Sequence, residues 1–176
     1  MDAVALAAFD RPETLPGGQR VRLRPIRPDD APRLEELYAR LSQHSAYQRF
    51  FTVMHRLPPD WARFLAAVDH QRRFAVVAEE PAAPSTLVGV ARYEPLPDKE
   101  TVELAVVVQD SWQGRGLGRL LLRDLLRAAE LNGIRRFRAF VLAENRRMLH
   151  VLTREADVHE RRVDRGVVEL TLTRKV

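Results

Sequence analysis

Three glycines in five residues, Gly114, Gly116 and Gly118, stand between a valine-rich run and a long helical pattern. The whole turn reads Gln113-Gly114-Arg115-Gly116-Leu117-Gly118-Arg119. Glycine carries no Cβ, so backbone N–H groups in such a turn stay uncovered. The helix N-terminus behind them adds a field that favours negative charge. A chain with this segment must fold a strand, a loop and a helix in immediate succession, and the loop forms a cradle for a phosphorylated ligand. It is not a P-loop, because no Gly-Lys-Ser/Thr follows. It also fails the dinucleotide pattern. The third glycine of that pattern would fall on Leu121 counting from Gly116, or on Arg119 counting from Gly114.

The rest of the chain supplies the setting. Val21–Ile26 alternates apolar and arginine residues, as a half-buried strand does. Pro28-Asp29-Asp30 stops it and offers carboxylates to cap a helix reaching Leu41, with Leu34, Leu37, Tyr38 and Leu41 on one face. Ser42–Phe51 reads as a polar-aromatic connector. Asp60 is placed to cap a second helix with Trp61, Phe64, Leu65 and Val68 on its apolar side. Arg73–Glu79, Thr86–Tyr93 and Thr101–Gln109 read as strands. Their short connections make an antiparallel meander. Leu117–Leu131 is a helix with Leu117, Leu121, Leu125 and Ala128 in one stripe, ended by Asn132-Gly133. Arg136–Leu142 is a strand, parallel to Thr101–Gln109 through the crossover helix. Asn145 can cap a last helix carrying Met148, Leu149 and Leu152. Val158–Val163 and Val167–Leu172 form a terminal hairpin that could pair across a homodimer. The class is α+β: a mixed, mostly antiparallel sheet flanked by helices.

A chain of 176 residues is long enough for one domain with a full core. The expected organisation is a loose N-terminal arm over 1–19 and a single domain over 20–176. Cysteine is absent, so disulfides and thiolate metal sites are excluded. His150 and His159 lack metal-ligand spacing, and no metal is expected. No apolar run is long enough to span a membrane, and a cytoplasmic protein is the default. Of 29 basic residues only Lys99 and Lys175 are lysines. The arginines are spread along the chain and no nucleic-acid recognition motif accompanies them. Their field suits an anionic small ligand better.

Gln113-x-x-Gly116-x-Gly118 resembles the Arg/Gln-x-x-Gly-x-Gly/Ala pyrophosphate loop of the GNAT acyl-CoA N-acyltransferases. The element order from Val21 to Thr173 is similar to that family's as well. The resemblance implies a β-α-β acyl-CoA-binding unit. Backbone N–H groups of Gln113, Gly114, Arg115, Gly116, Leu117, Gly118 and Arg119 would then hold the pyrophosphate of acetyl-CoA. Val106, Val107 and Val108 would line its pantetheine arm, and Asn145 would contact the cofactor. Leu23-Arg24-Pro25-Ile26-Arg27-Pro28-Asp29-Asp30, with Arg40-Leu41-Ser42, Ser45, Tyr47 and Arg49-Phe50-Phe51, resembles the catalytic domain of bacterial protein lysine acetyltransferases. Those enzymes modify acyl-CoA synthetases. This likeness implies a protein lysine acceptor, and the alternatives are a small-molecule amine or a non-catalytic acyl-CoA sensor.

Acyl transfer to an amine needs a base, because a lysine amine of pKa about 10.4 is mostly protonated near neutral pH. Glu103 matches the catalytic glutamate of the lysine acetyltransferases. It sits among Val102, Leu104 and Ala105, an apolar setting that favours a raised pKa. A strand N–H at Val106 would serve the oxyanion. Many family members place a tyrosine acid where this chain has Leu152, which leaves Tyr47 and Tyr93 as alternatives. His44, Tyr47 and Arg49 are the candidate acceptor-side residues.

Overall fold

The computed structural model describes residues 1–98 and 100–175. Val21, Leu23, Phe74, Val76 and Ala78 face one core, while Ala75, Val77 and Val90 face a second on the opposite side of the same sheet. Strands buried on both faces read as continuous apolar runs, and Phe74–Glu79 is buried throughout. The strands are β1 (Arg11–Thr14), β2 (Arg20–Pro25), β3 (Phe74–Glu79), β4 (Leu87–Pro95), β5 (Thr101–Val108), β6 (Arg136–Leu142), β7 (Ala156–Asp164) and β8 (Val167–Arg174). They form an 8-stranded sheet in the order β1-β2-β3-β4-β5-β6-β8-β7. Every neighbouring pair is antiparallel except β5 and β6, which run parallel as the sequence predicts.

The helices divide between the two faces. A short helix α1 (Ala3–Ala7) precedes β1, and α2 (Ala31–Ala39), α3 (Gln43–Phe50) and α4 (Pro59–Ala66) lie between β2 and β3. Next come α5 (Leu117–Leu131), the crossover between the parallel strands, and α6 (Arg146–Glu155), before the final hairpin. Seven apolar side chains of α5 are buried, from Leu117 to Ala129, and pack on β3, β4 and β5. A Cβ on Gly89 of β4 would lie 2.9 Å from Leu121 Cδ1, so the missing side chain lets α5 approach the sheet closely.

Three sequence expectations change. The N-terminal arm is not loose. Phe9 and Leu15 are buried in the α5-side core, and β1 pairs with β2 from Arg11 to Thr14. Arg11 locks the strand to α5 by two hydrogen bonds to Asp124, at 2.8 and 2.9 Å. Ser42–Phe51 is not a connector but α3, whose N-cap is Ser42 with its side chain accepting from the Ser45 N–H. Asp60 does not cap α4. Pro58 takes that position, and Asp60 sits in the first turn. The buried face of α4 is Ala62 and Ala66, while Trp61 and Phe64 are exposed. Small residues lie on the buried side, where α4 packs against α2. The aromatic rings lie over neighbours instead: Trp61 is 5.8 Å from the Phe50 ring, and the Arg73 guanidinium stands 4.0 Å from the Phe64 ring.

Candidate active site

The parallel register of β5 and β6 covers only Thr101–Leu104 against Arg136–Ala139. Beyond Leu104, β5 stays with β4 to Val108, while β6 stays with β8 to Leu142. The two strands therefore part, and a cleft of about 520 Å³ opens between them. Gln109 donates its N–H to Val88 O on β4 at 2.9 Å. By strand alternation, Val107 also turns its backbone polar groups to β4, while Val106 and Val108 turn theirs to the split. Val108 O accepts from Gln113 Nε2 at 3.0 Å. Val106 thus turns a backbone donor and acceptor to the cleft, and Val106, Val107 and Val108 all line it.

The glycine turn closes one end. Gly114 and Gly116 have φ of +73° and +89°, left-handed values that favour glycine. Gly116 is the N-cap of α5 and offers no side chain to its first amides. The N–H groups of the first helical residues have no intrahelical partner. Gln113, Gly114, Gly116, Gly118 and Arg119 line the cleft, and Asn145 and Arg147 stand across from them. Asn145 Oδ1 accepts from the Met148 N–H at 3.0 Å, so the residue caps α6 at the cleft wall. The Leu117 side chain is buried in the α5-side core and does not line the cleft. Arg115 points away, with its guanidinium 5.9 Å from the Trp112 ring. Arg119 pairs with Glu155.

Glu103 sits at the fork, one residue before the last pair of the parallel register. It is half-buried and lines the cleft. Burial pushes its carboxyl above the usual glutamate range. Arg49 works against that shift, and Glu94, opposite on β4, adds to it. Of the three acceptor-side candidates, Arg49 alone lines the cleft. His44 lies on the exposed side of α3 beside Gln48, and Tyr47 is 40% exposed outside the cleft. Tyr93 is buried in the α5-side core, donates to Gln71 O at 2.8 Å and is pushed up to about 12 by burial. It is no acid for the cleft. Leu152 is buried, so α6 presents no tyrosine there.

Sequence reasoning missed several contributors. Ser45, Gln48 and Phe51 of the α3 segment line the cleft, as does Arg147 of α6. Asp110, between β5 and the glycine turn, accepts hydrogen bonds from Ser42 and Ser45. The Ser-x-x-Ser spacing of a helix cap was the available signal. Among the described residues no group of His, Asp and Glu is arranged to hold a metal ion, and no helix is long and apolar enough to cross a membrane.

The family model described as an acetyltransferase (GNAT) domain matches residues 20–155. The chain belongs to the GNAT acetyltransferase family. It is an acyltransferase that uses acetyl-CoA, and the strand split, the glycine turn and the α5 N-terminus are the parts that fit that cofactor. The GNAT domain of PAT from S. lividans superposes with a TM-score of 0.85 at 31% identity, covering 95% of this chain and 98% of that one. Acetyltransferase PA5475 of Pseudomonas aeruginosa is 32% identical over 137 residues, 77% of this chain and 74% of its own length. Acetyltransferase Pat of Mycolicibacterium smegmatis is 34% identical over 167 residues, 93% of this chain. The chain spans 49% of that relative's length.

Proposed function

We propose that this GNAT domain transfers the acetyl group of acetyl-CoA to a lysine side-chain amine of a protein, with Glu103 as the general base. The observation that carries the reading is the place of Glu103, half-buried at the fork with a raised carboxyl, on the strand that leads to Val106 beyond the end of the parallel register. A base with a pKa closer to the working pH is better matched to taking an amine proton. In the step proposed, the amine nitrogen attacks the thioester carbonyl carbon and Glu103 receives the proton it sheds. The Val106 N–H meets the oxyanion. The C–S bond then breaks. The thiol leaving group, of pKa about 8.5, departs as thiolate without a dedicated acid, which suits a cleft with Leu152 in place of a tyrosine.

The acceptor assignment draws on the likeness to proteins named Pat and PAT, and on Arg49, Gln48 and Phe51 standing at the cleft wall by Glu103. An acyl-CoA synthetase lysine is the first candidate by that likeness. Incubation of a host lysate with the protein and isotopically labelled acetyl-CoA, followed by mass spectrometry, tests it. Label on a specific protein lysine is expected. Label confined to small amines overturns the acceptor class.

A further inference from the structure

The helix α3 forms the wall of the cleft nearest Glu103, yet little of it reaches the core. Of its eight residues only Ser45 and Ala46 are buried. What holds its first turn is the segment that opens the cofactor loop. Asp110 accepts from the Ser42 N–H at 3.0 Å, from Ser42 Oγ at 2.6 Å and from Ser45 Oγ at 2.8 Å. Ser45 Oγ accepts in turn from Gln113 Nε2 at 3.0 Å. Gln113 Oε1 accepts from Arg147 Nη1 at 3.1 Å. One line of hydrogen bonds therefore runs from α3 through Ser45 and Gln113 to α6, crossing the cleft where the glycine turn begins. Three of its bonds end on the Asp110 carboxylate, and bonds to a charged group are stronger than neutral ones. Partial burial pushes the Asp110 carboxyl up, and the Ser42 and Ser45 donors outweigh that effect and hold it below its usual range.

We propose that Asp110 and Ser45 are positioning residues that tie α3 to the occupancy of the cofactor loop. A pyrophosphate seated on the amides of residues 114–119 restrains Gln113 and the Asp110 turn. Through them it restrains the helix that carries Gln48 and Arg49 to the acceptor side. The acceptor wall is then complete only when the donor is bound. This rests on α3 being the acceptor wall, as argued under the proposed function.

Hydrogen–deuterium exchange on the whole chain tests the link, with coenzyme A as probe and wild type, Ser45→Ala and Asp110→Ala compared. Ser45→Ala removes one hydroxyl and leaves both Ser42–Asp110 bonds in place, so α3 keeps its anchor, whereas Asp110→Ala removes all three bonds and is the severer variant. In the wild type, coenzyme A is expected to slow exchange over residues 114–119 and also over 43–50. In both variants the slowing over 114–119 persists. The slowing over 43–50 falls by about tenfold or more in Ser45→Ala, the scale of losing one hydrogen bond to a charged group, and by more in Asp110→Ala, which loses three. A merely structural role would loosen α3 equally with and without the probe. The proposal is overturned if coenzyme A protects 43–50 as strongly in the variants as in wild type, or if it protects 114–119 but not 43–50 in wild type. No acceptor is needed, so failure here is distinct from failure of the lysine assignment, which the labelling experiment decides.

Discussion

Arg24 and Arg49 both belong to the stretch that resembles protein lysine acetyltransferases, and they have unrelated jobs. Arg24 is fully buried and bonds Asp30 by both terminal nitrogens at 2.7 Å and Glu79 through Nε at 2.8 Å. Removing one member of such a group leaves uncompensated buried charge, so this half of the resemblance preserves the fold and does not touch the acceptor. Arg49 reaches the cleft beside Glu103. Glu103 itself pays for its position. Its folded pKa is raised, so between the usual glutamate value and the raised one the folded state binds more protons than the unfolded state. Stability then falls as pH rises through that window. Glu103→Gln removes the ionisable group. The variant is expected to be at least as stable as wild type at neutral pH, with the difference shrinking on acidification toward about pH 4. Denaturant unfolding at several pH values measures this, and a variant less stable at pH 7 than at pH 4, relative to wild type, contradicts it.

Among the elements, the glycine turn and α5 were the most legible in sequence. Turn chemistry is local, and the fifteen-residue apolar stripe is unmistakable. Gly116→Ala forces a left-handed residue to carry a Cβ, 3.3 Å from Pro16 Cδ. It is expected to cost about 1–2 kcal/mol and to weaken acetyl-CoA binding by calorimetry. Gly118→Ala, inside α5 and with nothing closer than Val108 Cγ2 at 3.7 Å, is expected to leave stability unchanged or raise it by up to about 1 kcal/mol. Equal losses for the two would remove the conformational argument. The helices α3 and α4 were harder to read. Little of α3 is buried, and the helix depends on Asp110, which is 68 residues from Ser42 and 65 from Ser45. A pattern read within one segment cannot register a partner that distant. In α4 the aromatic spacing pointed to the wrong face, because the buried residues are the small Ala62 and Ala66, which periodicity of large apolar residues does not register.

At the scale of the whole molecule, connection lengths and the crossover rule gave the meander and the parallel β5–β6 pair, while the places of β2 beside β3 and of β8 between β6 and β7 come from the structure. The split was not readable as a pattern of side chains, since it is a feature of backbone pairing. The N-terminal strand was missed for a different reason. Its four residues, Arg-Pro-Glu-Thr, show no apolar alternation, and its order comes from Phe9, Leu15 and the Arg11–Asp124 pair. Phe9 packs 5.4 Å from Phe74 and is fully buried. Phe9→Ala is expected to cost about 3–5 kcal/mol in denaturant unfolding, whereas a loose arm would show almost no change. Fork and cleft meet at Glu103, with Arg49 of α3 lining the same cleft, and the proposed chemistry needs that residue as base. Its most direct test is the steady-state turnover of Glu103→Gln beside its acetyl-CoA affinity. The account predicts a fall in kcat of about 100-fold or more with affinity unchanged; near-normal turnover at neutral pH would contradict it.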